Sequence, residues 1–215
     1  SASHLKSPVI DGLPPLTGGL VGYMGYDTVR RLEKIGNTSV KDLPLPELAF
    51  MLTSDLAVMD HSDGTVTLIA NAINWDASDN RIDEAYAECV ARLDRMQQEL
   101  NAPLDGFVSE LEVRTLPDFD SNTTEEKYRQ SVKEIKEEIL AGEAFQVVLS
   151  QRFSVDVKAQ PIDVYRMLRL HNPSPYMYLF QFSDGISVVG SSPEALVKVN
   201  QKEVMVHPIA GTRKR

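Results

Sequence analysis

Tight-turn signals set between short apolar runs constrain this chain more than any other feature. His61-Ser-Asp-Gly64 lies between Leu56-Ala-Val-Met59 and Thr65-Val-Thr-Leu-Ile-Ala70, the signature of an antiparallel hairpin. Ala49-Phe-Met-Leu52 is a further apolar run just before it. Ser183-Asp-Gly185 separates a strand over 176–182 from Ile186-Ser-Val-Val189, and Asn200-Gln201 separates 195–199 from 203–209. Helical periods interrupt these pairs. Ile82, Tyr86, Cys89, Leu93, Met96 and Leu100 recur at three- and four-residue steps, which predicts an amphipathic helix. Its stripe holds Cys89, read as a core thiol and not as a nucleophile. Thr123 and Glu126 are read as a capping box opening a second helix, striped by Tyr128, Val132, Ile135 and Ile139 and ended by Gly142. Pro161 starts a third helix, bounded by Asn172-Pro173. Hairpins alternating with helices predict an α+β fold and not a doubly wound one.

Between the second and third helices the spacing predicts one long strand over 145–157. Its odd positions, from Phe145 to Val157, are mostly apolar, and its even positions, Gln146 among them, are mostly polar. Gln146 is therefore expected to face solvent or a cavity. The stretch Leu16-Thr-Gly-Gly-Leu-Val-Gly-Tyr-Met-Gly-Tyr-Asp27 matches no full phosphate-binding or dinucleotide fingerprint, so close backbone packing beside a strand is the plainer reading. Residues 101–121, with prolines at 103 and 117 and an acidic tilt, form the best linker.

With 22 basic against 31 acidic residues, the net charge of −9 disfavours a role on nucleic acid or an anionic membrane, both of which need a basic footprint. An anionic substrate would need local cations or a bound metal. Cys89 is the only cysteine, which excludes an intrachain disulfide and a cysteine-based zinc site and fits a reducing cytoplasm. No apolar run approaches a membrane span, and Ser1-Ala-Ser-His4 has no apolar signal region. The four histidines, 4, 61, 171 and 207, lack ligand spacing.

The last residues, from Val204 to Arg215, run from a strand into Gly211-Thr212 and then into cations, eighteen positions after Glu194. A hydroxyl, backbone N–H groups, cations and an acid would suit a small carboxylate substrate. Taken singly, Glu194 reads as a solvated turn acid, Gly211-Thr212 as a strand end, and 172–177 as a helix-to-strand connection. Taken together, Phe145-Gln-Val-Val-Leu-Ser-Gln-Arg-Phe153, Asn172-Pro-Ser-Pro-Tyr-Met-Tyr178, Ser191-Ser-Pro-Glu194 and Pro208-Ile-Ala-Gly-Thr-Arg213 resemble successive blocks of the chorismate-utilising enzymes, most closely component I of anthranilate synthases. The glycine-rich stretch is similar to a block in the amino-terminal part of the same proteins.

The resemblance implies that ammonia attacks C2 of chorismate while the C4 hydroxyl leaves, and that pyruvate is then eliminated. It implies an ammonia-supplying glutaminase partner and Mg²⁺ on the substrate carboxylate, its ligands and a catalytic histidine expected downstream. It implies that Glu194 protonates the leaving C4 oxygen and that Gly211 and Thr212 grip a carboxylate. Gln146 stands where water-using relatives carry a lysine base, and Ala210 where aminodeoxychorismate synthases carry a lysine nucleophile; lacking both amines, the chain favours direct amination. Pro175, Tyr176 and Met177 match a feedback pocket for tryptophan.

The implied fold is two orthogonally packed antiparallel sheets with outer helices, of which this chain supplies part. Residues 1–119 would belong to the amino-terminal region and 120–215 to the first part of the catalytic domain. The chain is expected to be part of a larger protein, to turn over no chorismate alone, and to self-associate or be only marginally stable, since strands without partners leave open edges. Two other readings stay open: a chorismate enzyme with different nucleophile chemistry (an aminodeoxychorismate, isochorismate or salicylate synthase relative), and a non-catalytic tryptophan-binding fragment.

Overall fold

A computed structural model of the chain describes residues 7–36, 39–104, 118–200 and 202–209. The chain divides into two units, Ser1–Gly106 and Phe107–Arg215, and the division falls inside the proline-bearing segment 101–121. The architecture is α+β, as expected. Every sheet among the described residues is a two-stranded antiparallel pair.

In the first unit the glycine-rich stretch is itself a strand, β1 (Gly19–Met24), paired with β2 (Leu48–Thr53) in the register Gly22↔Phe50. A Cβ at Gly22 would strike the Ala49 carbonyl oxygen and lie 2.8 Å from the Phe50 Cα, so the close packing is across this pair. β3 (Asp55–Asp60) and β4 (Thr65–Ala70) form the expected hairpin, closed by Gly64 at φ +75°. Asp60 and Asp63 each accept from the backbone N–H and hydroxyl two residues on, Ser62 and Thr65, which locks the turn. α1 (Ile82–Asn101) packs against β4. The centre of its predicted stripe is covered: Cys89 is 8% exposed, the one buried apolar residue among those described. The stripe's ends, Ile82 and Leu100, stay exposed.

Arg92 ties α1 to the hairpin. Its guanidinium donates to Asp55 Oδ1 at 2.5 Å, to the Asn71 carbonyl at 2.8 Å and to Cys89 Sγ at 3.1 Å. Asn71 in turn donates through Nδ2 to the carbonyls of Thr17 and Ser54. One polar cluster thus joins the entry to β1, both strands of the hairpin and α1.

In the second unit β5 (Asp120–Ser121) leads to α2 (Glu125–Ala141). The cap is Thr124, whose hydroxyl accepts from Lys127 N–H, and not the predicted Thr123 with Glu126. Thr123 is already engaged, its N–H by the Ser121 hydroxyl and its carbonyl by the same group. Gly142, at φ +88°, ends α2 as expected.

The long strand over 145–157 is not formed. Only β6 (Phe153–Ser154) is extended and paired, with β5. Phe145, Val147 and Val148 are exposed, and the odd–even alternation produces no covered face. A strand exists through its ladder, and among the described residues only Asp120 and Ser121 supply one.

α3 (Pro161–His171) follows, with proline at its first turn, and packs on the hairpin of β7 (Tyr176–Gln181) and β8 (Ser187–Ser192). In that pair Gly190 faces Tyr178, and any side chain at 190 would collide with the tyrosine ring, which stacks on Phe180 at 5.1 Å. β9 (Lys198–Asn200) and β10 (Glu203–Met205) make a last, short hairpin. Among the described residues no helix is long and apolar enough to cross a membrane.

Candidate active site around Glu194

Glu194 enters two residues after β8, in the turn Ser191-Ser-Pro-Glu194. The turn is held at several points. Ser191 Oγ donates to the carbonyl of Asn172, the C-cap of α3, at 2.6 Å. Ser192 Oγ donates to the Glu194 carbonyl at 3.0 Å and accepts from the Glu194 N–H at 3.4 Å. The carboxylate is held separately: Oε1 accepts from the Ile209 N–H at 3.2 Å. Glu194 is half-buried, and with Tyr176, Lys198, Met205, His207 and Ile209 it lines a cavity of about 80 Å³.

That volume matches two or three waters and falls well short of the roughly 300–1,000 Å³ of a small-molecule site. The described residues therefore enclose no volume that would hold a small-molecule substrate at Glu194. A larger groove, about 940 Å³, lies in the first unit along α1, but both of its guanidinium groups are engaged, Arg92 by Asp55 and Asn71 and Arg81 by Glu84. The chemistry is better placed at Glu194, where an acid, an imidazole and an ammonium share one small cavity.

The sequence-derived candidates fall into three groups. Tyr176 and Glu194 are brought together. Met177 is paired across the strands with Ser191, Tyr176 with Ser192, and Pro175 is exposed just before β7. Gln146 is exposed in an irregular segment and lines neither cavity, so its expected place on the polar face of a strand is not observed. Ala210, Gly211 and Thr212 lie outside the described residues. Sequence reasoning missed Lys198, His207 and the Ile209 amide. The signal for them was the predicted pairing of 195–199 with 203–209; of it the structure forms only β9 with β10, which sets Lys198 opposite Met205, and residues 206–209 follow as irregular chain that brings Ile209 N–H to Glu194. Among the described residues no three of His, Cys, Asp and Glu gather to hold a metal ion.

The family model described as chorismate binding enzyme matches residues 2–215. The chain belongs to the chorismate binding enzyme family. Among its relatives, anthranilate synthase component 1 of Mycolicibacterium smegmatis is 51% identical over 98% of this chain and 41% of the relative. The protein of the same name from Mycobacterium bovis is 53% identical over 95% of this chain and 40% of the relative. The crystal structure of anthranilate synthase component I from Streptococcus pneumoniae TIGR4 superposes with a TM-score of 0.74 at 32% identity, covering 93% of this chain and 43% of that one. This member of the chorismate binding enzymes thus spans about two fifths of the length of the relatives it matches, and the solved structure shares its fold.

Proposed function

We propose that the whole protein carrying these residues is an anthranilate synthase component I, a lyase that converts chorismate and ammonia to anthranilate and pyruvate in tryptophan biosynthesis in the cytoplasm. The observation that carries this reading is identity above one half to proteins of that name over nearly the full chain. In the first step a C–N bond forms at C2 and the C4–O bond breaks as the ring double bonds shift. Glu194 delivers its proton to the departing oxygen, which leaves as water, and the attacking nitrogen loses a proton. In the second step pyruvate departs as the ring becomes aromatic. Hydroxide is a poor leaving group, so a placed acid is worth on the order of 10²–10⁴ in rate. The Ile209 N–H holds one oxygen of Glu194, which leaves the other oxygen to act.

Gln146 and Ala210 support ammonia as the attacker, because neither an amide nor a methyl can serve as the base or the nucleophile that sister enzymes build from lysine. Gly211 and Thr212 would bind a chorismate carboxylate. Mg²⁺ would neutralise substrate charge on ligands beyond those described. Ammonia would come from a glutaminase subunit. Pro175, Tyr176 and Met177 would belong to the pocket where tryptophan inhibits, a reading supported by the match of Asn172-Pro-Ser-Pro-Tyr-Met-Tyr178 to the family block.

The test is to supply the whole protein with chorismate, Mg²⁺ and an ammonium salt and follow anthranilate fluorescence. A hydroxylated product in place of anthranilate would overturn the reading. Glu194→Gln is expected to lower kcat by about 10²–10⁴ with little change in the KM for chorismate. A variant with unchanged turnover would remove Glu194 from the acid role.

A further inference from the structure

We infer that Ser192 is a positioning residue for Glu194, its hydroxyl clamping the backbone of the turn so that the carboxyl meets the Ile209 amide. The inference rests on the acid role proposed for Glu194. Three features of the structure converge on it. Ser192 closes β8 directly opposite Tyr176, so it belongs to the hairpin on which α3 packs. Its single oxygen engages both polar groups of the Glu194 backbone, the carbonyl as donor and the N–H as acceptor. Pro193, between them, has its φ fixed by its ring, so little of the turn is left free to move.

Glu194 is thereby held at both ends, its main chain by Ser192 and its Oε1 by Ile209. Since Oε1 already accepts a hydrogen bond, the transferable proton resides on Oε2. Among the described residues Oε2 has no hydrogen-bond partner. The arrangement selects one oxygen of the acid and points it by fixing the other. Without the Ser192 oxygen the turn can rock about Pro193, and displacements near 1 Å at a reacting group can cost on the order of 10²-fold in rate.

The experiment is a double-mutant cycle in the whole protein, read as anthranilate formation from chorismate, Mg²⁺ and ammonium. Ser192→Ala should lower kcat by about 10- to 100-fold with the KM for chorismate changed less than about threefold, and Ser192→Thr, which keeps the oxygen, should recover most of the loss. In a Glu194→Gln background the same Ser192→Ala change should have almost no further effect, because the group it positions is gone. If the alanine variant does not fold, Ser192→Cys, nearly isosteric and a poor hydrogen-bond partner, takes its place. A Ser192→Ala enzyme with wild-type kcat overturns the inference. So does an additive loss in the Glu194→Gln background, which would mark a merely structural role. A wild-type protein that makes no anthranilate, or a Glu194→Gln variant with full turnover, would instead overturn the function proposed for the site.

Discussion

Arg92 shows what one residue can hold together. Its side chain is about 30% exposed, and it still binds Asp55, the Asn71 carbonyl and the Cys89 sulfur. Burial works against its charge, but the bonds to Cys89 and Asp55 outweigh that, and its pKa is raised. Hydrogen bonds to a charged group are worth about 1.5–3 kcal/mol when their loss strands a partner. Arg92→Ala should therefore destabilise the first unit by about 2 kcal/mol. Denaturant titration followed by the fluorescence of Trp75, the only tryptophan, reads this directly. An unmoved midpoint would show that α1 stays docked on apolar contact alone. The periodicity predicted Cys89 as the stripe's covered residue, but nothing in the spacing announced that Arg92, three positions on, would be drawn inward beside it.

At the scale of elements, the hairpins were legible and the lone strand was not. The β3–β4 turn carries its instructions locally: Asp60 and Asp63 each bond the group two residues on, and Gly64 supplies the positive φ. Those bonds have a pH signature. The Asp60 carboxyl is held below its ordinary range chiefly by the Ser62 hydroxyl, and Asp63 chiefly by the Thr65 N–H. A carboxylate with a depressed folded pKa contributes stability that is complete above its unfolded pKa and is lost as pH falls through the folded value. The turn should thus tighten fully above about pH 4–5 and loosen below the ordinary carboxylate pKa of about 4. Amide exchange at Ser62 and Thr65 should quicken on acidification through that range once intrinsic exchange is corrected for, and Asp60→Asn should flatten the response at Ser62. Identical protection at pH 6 and pH 2.5 would contradict the assignment. The stretch over 145–157 failed for the opposite reason. Its alternation is a property of the residues, but a strand also needs a neighbour, and only Phe153 and Ser154 find one among the described residues.

For the whole molecule the governing quantity is uncovered apolar surface. Phe145, Val148, Leu196 and Tyr26 are all more than four fifths exposed. Among the described residues five separate strand pairs present open edges, and isolated hairpins are marginal in water. The 215-residue chain should therefore associate with itself as concentration rises. Sedimentation velocity from micromolar to tens of micromolar should show growing oligomers, and a sharp monomer throughout would contradict this. What the sequence alone determined is what neighbouring residues settle between themselves: the helices α1, α2 and α3, the turns at Gly64 and Gly185, the α+β class, and a family resemblance that the comparisons bear out. Only tertiary structure decided which extended segment found a ladder, and that Tyr176, Lys198, His207 and the Ile209 amide came to surround Glu194. Capping and turn chemistry act over three or four residues, while a ladder or a cavity wall joins residues far apart in the chain, and periodicity carries no record of that partner.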